Sequence, residues 1–343
     1  MKKLSSLILS GGGGVSQAEY DKLKRDYEQL LNDYNALKGG GAASPSPNGG
    51  TTPSDNGNPS NPFGWGGDDP LPDDAVITFP DPAFEAAVRE AIDKPEGDIT
   101  KGDVAGVTSL DVSGEYEWVD NHHVSYGIIQ DLTGIEHFTA LTYLNCEYNQ
   151  LTALDVTRNT ALTVLYCNDN QLTALDVSRL TALTSLDCSN NQLTTLDVSR
   201  LTALTELGCY GNQLTALNLS GATALTTLYC QSNQLTALDI SRNTALTELW
   251  CGDNQLTALD VTGATALTVL ICFGNQLTAL DVSRLTALTS LDCSNNQLTT
   301  LDVSRLTALT QLHCRDNYFP DKSAIIGLDE GRTSLSFDPQ NSR

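Results

Sequence analysis

Leu141-Thr-Tyr-Leu144-Asn-Cys146-Glu-Tyr-Asn149-Gln-Leu151-Thr-Ala-Leu154-Asp-Val156-Thr-Arg-Asn-Thr-Ala161 is a unit of 21 residues, and Leu162 begins the next copy. The nine cysteines mark the period: Cys146, Cys167, Cys188, Cys209, Cys230, Cys251, Cys272, Cys293 and Cys314, each 21 residues from the next. An asparagine stands three residues after every one of them, from Asn149 to Asn317. A spacing held that strictly means one structural unit stacked on itself, so the repeat decides the fold.

Within Leu144-Asn-Cys146 apolar residues alternate with period two, which predicts a short strand with Leu and Cys facing inward. The asparagine ends that strand, and its amide can bond the backbone of its own turn and of the coil beside it. Leu151-Thr-Ala-Leu154-Asp-Val156 repeats the Leu-x-x-Leu-x-apolar pattern inside the same unit, so a second short strand is expected there. The architecture that follows has two parallel sheets facing each other across a narrow core, with no outer helices. One coil cannot stand alone; stacking pairs the strands and closes the core.

The unit resembles the leucine-rich-repeat signature L-x-x-L-x-L-x-x-N-x-L with Cys in the third apolar slot. The segment from Phe79-Pro-Asp81 through Val107-Thr-Ser-Leu110 to Asp131-Leu-Thr-Gly-Ile-Glu136 resembles the amino-terminal cap of internalin-like bacterial surface proteins. The Asn-Gln-Leu-Thr repeats are similar to those of many bacterial surface and secreted proteins. The fold class is therefore mainly β: a leucine-rich-repeat solenoid of parallel strands with capped ends, preceded by a short N-terminal coiled-coil helix. The resemblance implies an extracellular or cell-surface protein, and a lipoprotein-like leader suggests a membrane tether at the N-terminus of the native form.

The flanks divide by composition. Residues 1–15 read as a degenerate lipoprotein-like export leader, with Gly12 where a lipid-bearing cysteine would stand. Residues 16–38 carry Tyr20, Leu23, Tyr27, Leu30, Tyr34 and Leu37 at alternating spacings of three and four, a coiled-coil pattern that suggests self-association, with a lone amphipathic helix as the alternative. Ser16 and Glu19 form a capping box, and Gly39 stops the helix. Residues 39–75 are a flexible linker rich in Gly, Ser, Pro and Asn. Residues 76–140 form the N-terminal cap, in which Asp81 caps a helix begun by Pro82 and presenting Phe84, Val88 and Ile92 on one face. Residues 141–317 hold nine repeats. Residues 318–343 form the C-terminal cap, with an apolar helix over 323–328 and a last strand over 333–337.

A net charge of −23 excludes nucleic acid and an anionic membrane surface as partners, and no apolar segment is long enough to span a bilayer. Nine is an odd number of cysteines, and all occupy the same inward slot with their Cβ vectors side by side. They read as buried small apolar residues, with no disulfide and no zinc. No catalytic constellation and no cofactor motif is present. His122 and His123 lie near Glu115, Glu117 and Asp120 in an insertion that reads as a polar hairpin, with metal binding as the alternative.

Function should then lie in what the repeats do not share. The outward strand positions, and both residues after each Cys, vary freely between copies. All seven aromatics between Leu141 and Asn317 fall in those slots: Tyr143, Tyr148, Tyr166, Tyr210, Tyr229, Trp250 and Phe273. Tyr229, Trp250 and Ile271 share one slot on consecutive coils, with Tyr166, Tyr210 and Phe273 alongside and Glu206, Glu248 and Asp253 at the edge. Aromatics clustered on a rigid sheet make a protein-binding surface, for a host or microbial surface protein. A glycan ligand and a purely structural spacer are the alternatives.

A second stripe, Asp155, Asp176, Asp197, Asp239, Asp260, Asp281 and Asp302 with Asn218 among them, reads as a solvated face balanced by arginines three residues on, such as Arg158 and Arg179. Calcium on this stripe is the alternative reading. Residues 170–205 and 275–310 are identical, the mark of a duplication within the gene.

Overall fold

The computed structural model describes residues 72–341 except 115, 120, 121 and 126, and of 116–119 and 122–125 the backbone alone. Everything below concerns the unit that spans Asp68–Arg343. The leader, the coiled-coil positions Tyr20 to Leu37 and the linker up to residue 71 lie outside the described residues, as do the side chains of the 115–126 insertion.

Each repeat contributes one three-residue strand. After β1 (Ser109–Asp111) and the antiparallel hairpin of β2 (Tyr116–Val119) and β3 (His122–Ser125) come β4 (Tyr143–Asn145), β5 (Val164–Tyr166), β6 (Ser185–Asp187) and β7 (Glu206–Gly208). They are followed by β8 (Thr227–Tyr229), β9 (Glu248–Trp250), β10 (Val269–Ile271), β11 (Ser290–Asp292), β12 (Leu301–Asp302) and β13 (Gln311–His313). The chain closes with β14 (Ile325–Ile326) and β15 (Ser334–Ser336). One parallel sheet of 11 strands runs β1-β4-β5-β6-β7-β8-β9-β10-β11-β13-β15. Register is constant, leucine on leucine: Leu207 pairs with Leu228 and Leu228 with Leu249. A threonine before each strand adds a hydroxyl bond to the coil behind, as when Thr247 Oγ1 donates to the carbonyl of Thr226.

The asparagines stitch the coils together. Asn233 Nδ2 donates to the carbonyl of Cys209 in the preceding coil at 3.0 Å and to that of Cys230 in its own at 3.2 Å. Its Oδ1 accepts from the backbone N–H of Leu214 at 2.9 Å. The asparagines from Asn170 to Asn317 repeat this scheme, and at Asn149 the cap residues Val112 and Ile129 stand in for the preceding cysteine and leucine.

The second sheet expected over Leu-x-x-Leu-x-Val is not formed. Among the described residues that side holds only the β12–β14 pair and one bridge between Asp197 and Asn218. The reason is local: side chains take the N–H groups that a ladder would need. Asparagine accepts from the first leucine, and each aspartate accepts from the residue two positions on, as Asp176 Oδ1 does from the Ser178 N–H.

A second correction concerns the residue two after each cysteine, expected to vary freely. It is left-handed in every coil: Tyr148, Asp169, Asn190, Ser232, Asp253, Asn295 and Asp316 have φ of 49–55°, and Gly211 and Gly274 have φ of 63°. That backbone favours Asn, Asp and Gly, which fill seven of the nine slots, Tyr148 and Ser232 being the others.

The core is a leucine column flanked by the cysteines, all nine of which are free and fully buried. At the N-terminal end α1 (Pro82–Ala91) begins on Asp81, whose Oδ1 accepts from Ala83 and Phe84 while its Oδ2 accepts from Gln130 and Asp131. Phe84 and Val88 are buried against the first coil, and Ile92 packs beside them. A single turn, α2 (Lys101–Val104), leads into β1, whose Leu110 pairs with Leu144. At the far end the helix expected over 323–328 is one 3₁₀ turn, Lys322–Ala324. Ile325 and Ile326 instead pair with Leu301 and Asp302, because the edge strand β12 offers them an unpaired backbone. Gln340 Nε2 donates to the carbonyl of Cys314, the bond that a further asparagine would make.

Two predictions follow from this framework. Asn233→Ala should destabilise the chain by roughly 2–4 kcal/mol, the cost of leaving several buried polar groups unpaired, read from urea denaturation. Burial also pushes the Cys230 thiol up to about 12 and raises the other eight. A thiol titration should therefore find none reactive in the folded chain and all nine after denaturation; recovery of four disulfides would contradict it.

Candidate protein-binding face

On β8, β9 and β10 the central leucine points into the core and its two neighbours point out, which leaves the outward side chains half-buried. Parallel register then lines equivalent residues into rows. Tyr229 sits beside Trp250, and Trp250 beside Ile271. The Tyr229 and Trp250 rings meet edge to face, centroids 5.7 Å apart at 86°. Trp250 Nε1 donates to Glu248 Oε1 at 2.7 Å, so the indole is fixed by the neighbouring outward residue of its own strand. Partial burial, with the charges of Glu248 and Glu206, raises the Tyr229 hydroxyl above its ordinary value.

Phe273 reaches the same face from the turn after β10. Its ring lies where a Cβ on Gly252 would fall, so a glycine one coil back is what lets the ring lie flat on the turn. Asp253, on the left-handed turn, is exposed and edges this group; desolvation raises its carboxyl. Tyr210 stands further upstream, its hydroxyl raised by burial and by Asp187 and Asp169.

Tyr166 is not continuous with this cluster. It packs edge to face with Tyr143, centroids 6.0 Å apart, and two rows separate it from Tyr229. Those rows hold Asp187 and Gly208. Between the tyrosines lies a cavity of about 180 Å³, lined also by Glu147, Asn168 and Glu206. Glu147, Asn168, Asp187 and Gly208 are absent from the sequence-derived site. Gly208 carried a readable signal, being the single glycine at that strand slot among the nine repeats.

The aspartate stripe on the opposite side has a structural role. Each carboxylate accepts from the N–H two residues on, always a serine or threonine, and Asn218 does the same to Ser220 at 3.1 Å. Among the described residues none of these aspartates forms an ion pair with an arginine. Hydrogen bonds from Ser or Thr, more than arginine charge, hold Asp176, Asp197, Asp239, Asp260, Asp281 and Asp302 below the ordinary carboxylate value.

The family model for leucine rich repeats (2 copies) matches residues 160–200, 181–221, 223–262 and 265–305. Internalin J of Listeria monocytogenes serotype 4b (strain F2365) is 44% identical over 82 residues, 24% of this chain and 8% of that protein. The solved functional domain of InlJ from Listeria monocytogenes, which includes a cysteine ladder, is 38% identical with a TM-score of 0.60, over 76% of this chain and 60% of that one. This chain has the leucine-rich-repeat fold and is similar to internalins. The internalin-like solenoid spans less than two thirds of the length of these two relatives. Its fold is shared more widely: the ectodomain of the plant receptor kinase GASSHO1/SCHENGEN3 from Arabidopsis thaliana is 22% identical with a TM-score of 0.57, over 70% of this chain and 31% of that one.

A carboxyl held low in the folded state stabilises it above the unfolded pKa, near about 4, and that contribution fades as pH falls through the folded value. Six lowered aspartates in the stripe outnumber the raised Asp187 and Asp253. The melting temperature should therefore drop as pH is taken from about 5 to about 2. Replacing stripe aspartates by asparagine, the residue already accepted at position 218, should flatten that drop.

Proposed function

We propose that this chain is a non-enzymatic binding protein whose partner, a protein on a host or microbial surface, docks on the row Tyr229–Trp250–Ile271. Leucine-rich-repeat proteins and internalins act through protein–protein interaction, and internalin homologues are surface or secreted bacterial proteins. Among the described residues no helix is long and apolar enough to cross a membrane. Display at the cell surface through the leader and linker of residues 1–75, with self-association through the helix of residues 16–38, belongs to the same reading.

The observation that carries it is the Tyr229–Trp250 pair with Glu248 bonded to the indole. An outward tryptophan immobilised on a rigid sheet keeps its entropy cost of binding low. The core gains little from it, since the adjacent Leu228 and Leu249 are themselves fully buried. Protein is favoured over glycan because rings set at 86° make a ridge, whereas sugars stack on flat aromatic shelves.

Trp250→Ala with Tyr229→Ala should keep the circular dichroism spectrum and the cooperative melt while weakening a captured surface protein by about 100-fold or more, as paired hot-spot losses do. Arg242→Ala with Arg284→Ala, on the other side of the coils, should change binding little. Equal binding by the aromatic double variant would end the proposal.

A further inference from the structure

We propose that the hollow between Tyr166 and Tyr229 receives an arginine side chain of the partner protein. This deepens the binding reading above and rests on it. The hollow lies where the row between Tyr166 and Tyr229 holds only Asp187 and Gly208, and the Asp187 carboxylate leans over the glycine, its Oδ1 2.7 Å from where a Cβ would fall. Leu186 and Gly208 lie at its base, and Glu147, Asp187 and Glu206 surround it.

Its chemistry is one-sided. None of the lining residues is cationic. Asn168, which lines it, is only 6% exposed, and its Oδ1 has no hydrogen-bond partner among the described residues. The amide cannot turn that oxygen away, because Nδ2 donates to Asp169 Oδ2 at 2.9 Å. A buried acceptor left open costs about 1–3 kcal/mol unless a donor arrives. Asp187 is raised above the ordinary carboxylate value by burial and by the charges of Asp169 and Glu147, so a cation beside it would be doubly compensated.

The chain contains its own comparison. Residues 275–310 repeat residues 170–205 without change, so Asp292 and Ser294 are the twins of Asp187 and Ser189. Around Asp292 the surface hollow is lined by Arg315 of the same chain. The residue equivalent to Arg315 one duplication earlier is Tyr210. The two hollows coincide only at Asp187/Asp292 and Asn168/Phe273, but beside the second aspartate the chain places its own guanidinium, and at the equivalent position beside the first it places a tyrosine.

Guanidinium fits better than a metal ion. It is planar, carries donors only, and stacks on tyrosine faces while bonding carboxylates. Calcium needs six to eight oxygens around one point. Glu147 and Glu206 stand on coils three apart, about 14 Å along the stack. Among the described residues no three His, Cys, Asp or Glu side chains come close enough to hold a metal.

The test uses the full chain, labelled with ¹⁵N, and two blocked tripeptides, Gly-Arg-Gly and its neutral counterpart Gly-citrulline-Gly. The arginine peptide should shift the amides of Asp187, Ser189 and Gly208 saturably, and the citrulline peptide at least about tenfold more weakly, since it lacks the charge. Asp187→Asn keeps the turn, as Asn218 does, and should lose the response; Gly208→Tyr, which copies the neighbouring rows, should block it. Trp250→Ala should leave the peptide response intact while it weakens the macromolecular partner, which separates this pocket from the aromatic row. Equal binding of both peptides, shifts scattered over the acidic surface, no saturable shift at all, or calcium chloride alone moving these amides would each overturn the proposal.

Discussion

A side-chain amide that bonds two coils at once is the contact on which this solenoid depends. Every repeat turns through a backbone whose N–H and C=O groups face the interior, where water cannot reach them. The strand half of the coil solves this through the parallel sheet. The other half has no continuous ladder, and beside one backbone bond per coil, such as Gln234 N–H to the Leu214 carbonyl, its groups are met by side chains: asparagine Oδ1 on the first leucine, asparagine Nδ2 on two cysteine carbonyls, and aspartate on the turn. Asparagine has both a donor and an acceptor on one short planar group, which no neighbouring residue type supplies in that volume. The cysteines fit the same logic, being small, apolar and able to lie beside the amide without opening a cavity.

Because the inward groups satisfy one another, the outward slots carry almost no structural duty. They can hold tyrosine, glycine, aspartate or tryptophan on successive coils without disturbing the leucine column. The duplicated segment shows what this permits. The same 36 residues, 170–205 and 275–310, sit between Tyr166 and Gly208 in one place and between Ile271 and His313 in the other. Identical side chains thereby form two different surfaces. Recombination of repeats is a route to new binding faces that leaves the scaffold untouched.

Much of this was legible in the sequence because periodicity is an inward signal. The Cys and Asn spacing located the strands, the inward column and the bonds between coils, and Asp81-Pro82 located the cap helix. The second sheet was misread because Leu154 and Val156 alternate like a strand, while the hydrogen-bonding capacity of Asp155 and Asn170 decides what the backbone there does. The residue two after each cysteine looked free, although its Asp, Asn and Gly content was the trace of a left-handed turn. On the outer face, residue type indicated that Tyr229 and Trp250 lie together, but the Trp250–Glu248 bond depends on rotamers. The hollow at Gly208 depends on a missing side chain, and a scan for aromatic and charged residues passes over it.

Hydrogen–deuterium exchange at the backbone amides of Leu172, Leu193, Leu214 and Leu235 tests the central claim most directly. These N–H groups lie outside the regular strands and have an asparagine Oδ1 as acceptor. The account predicts protection comparable to that of the central strand leucines, such as Leu207 and Leu228, lost locally when the paired asparagine is replaced by alanine. Exchange at the rate of an open loop, or protection that survives the replacement, would contradict it.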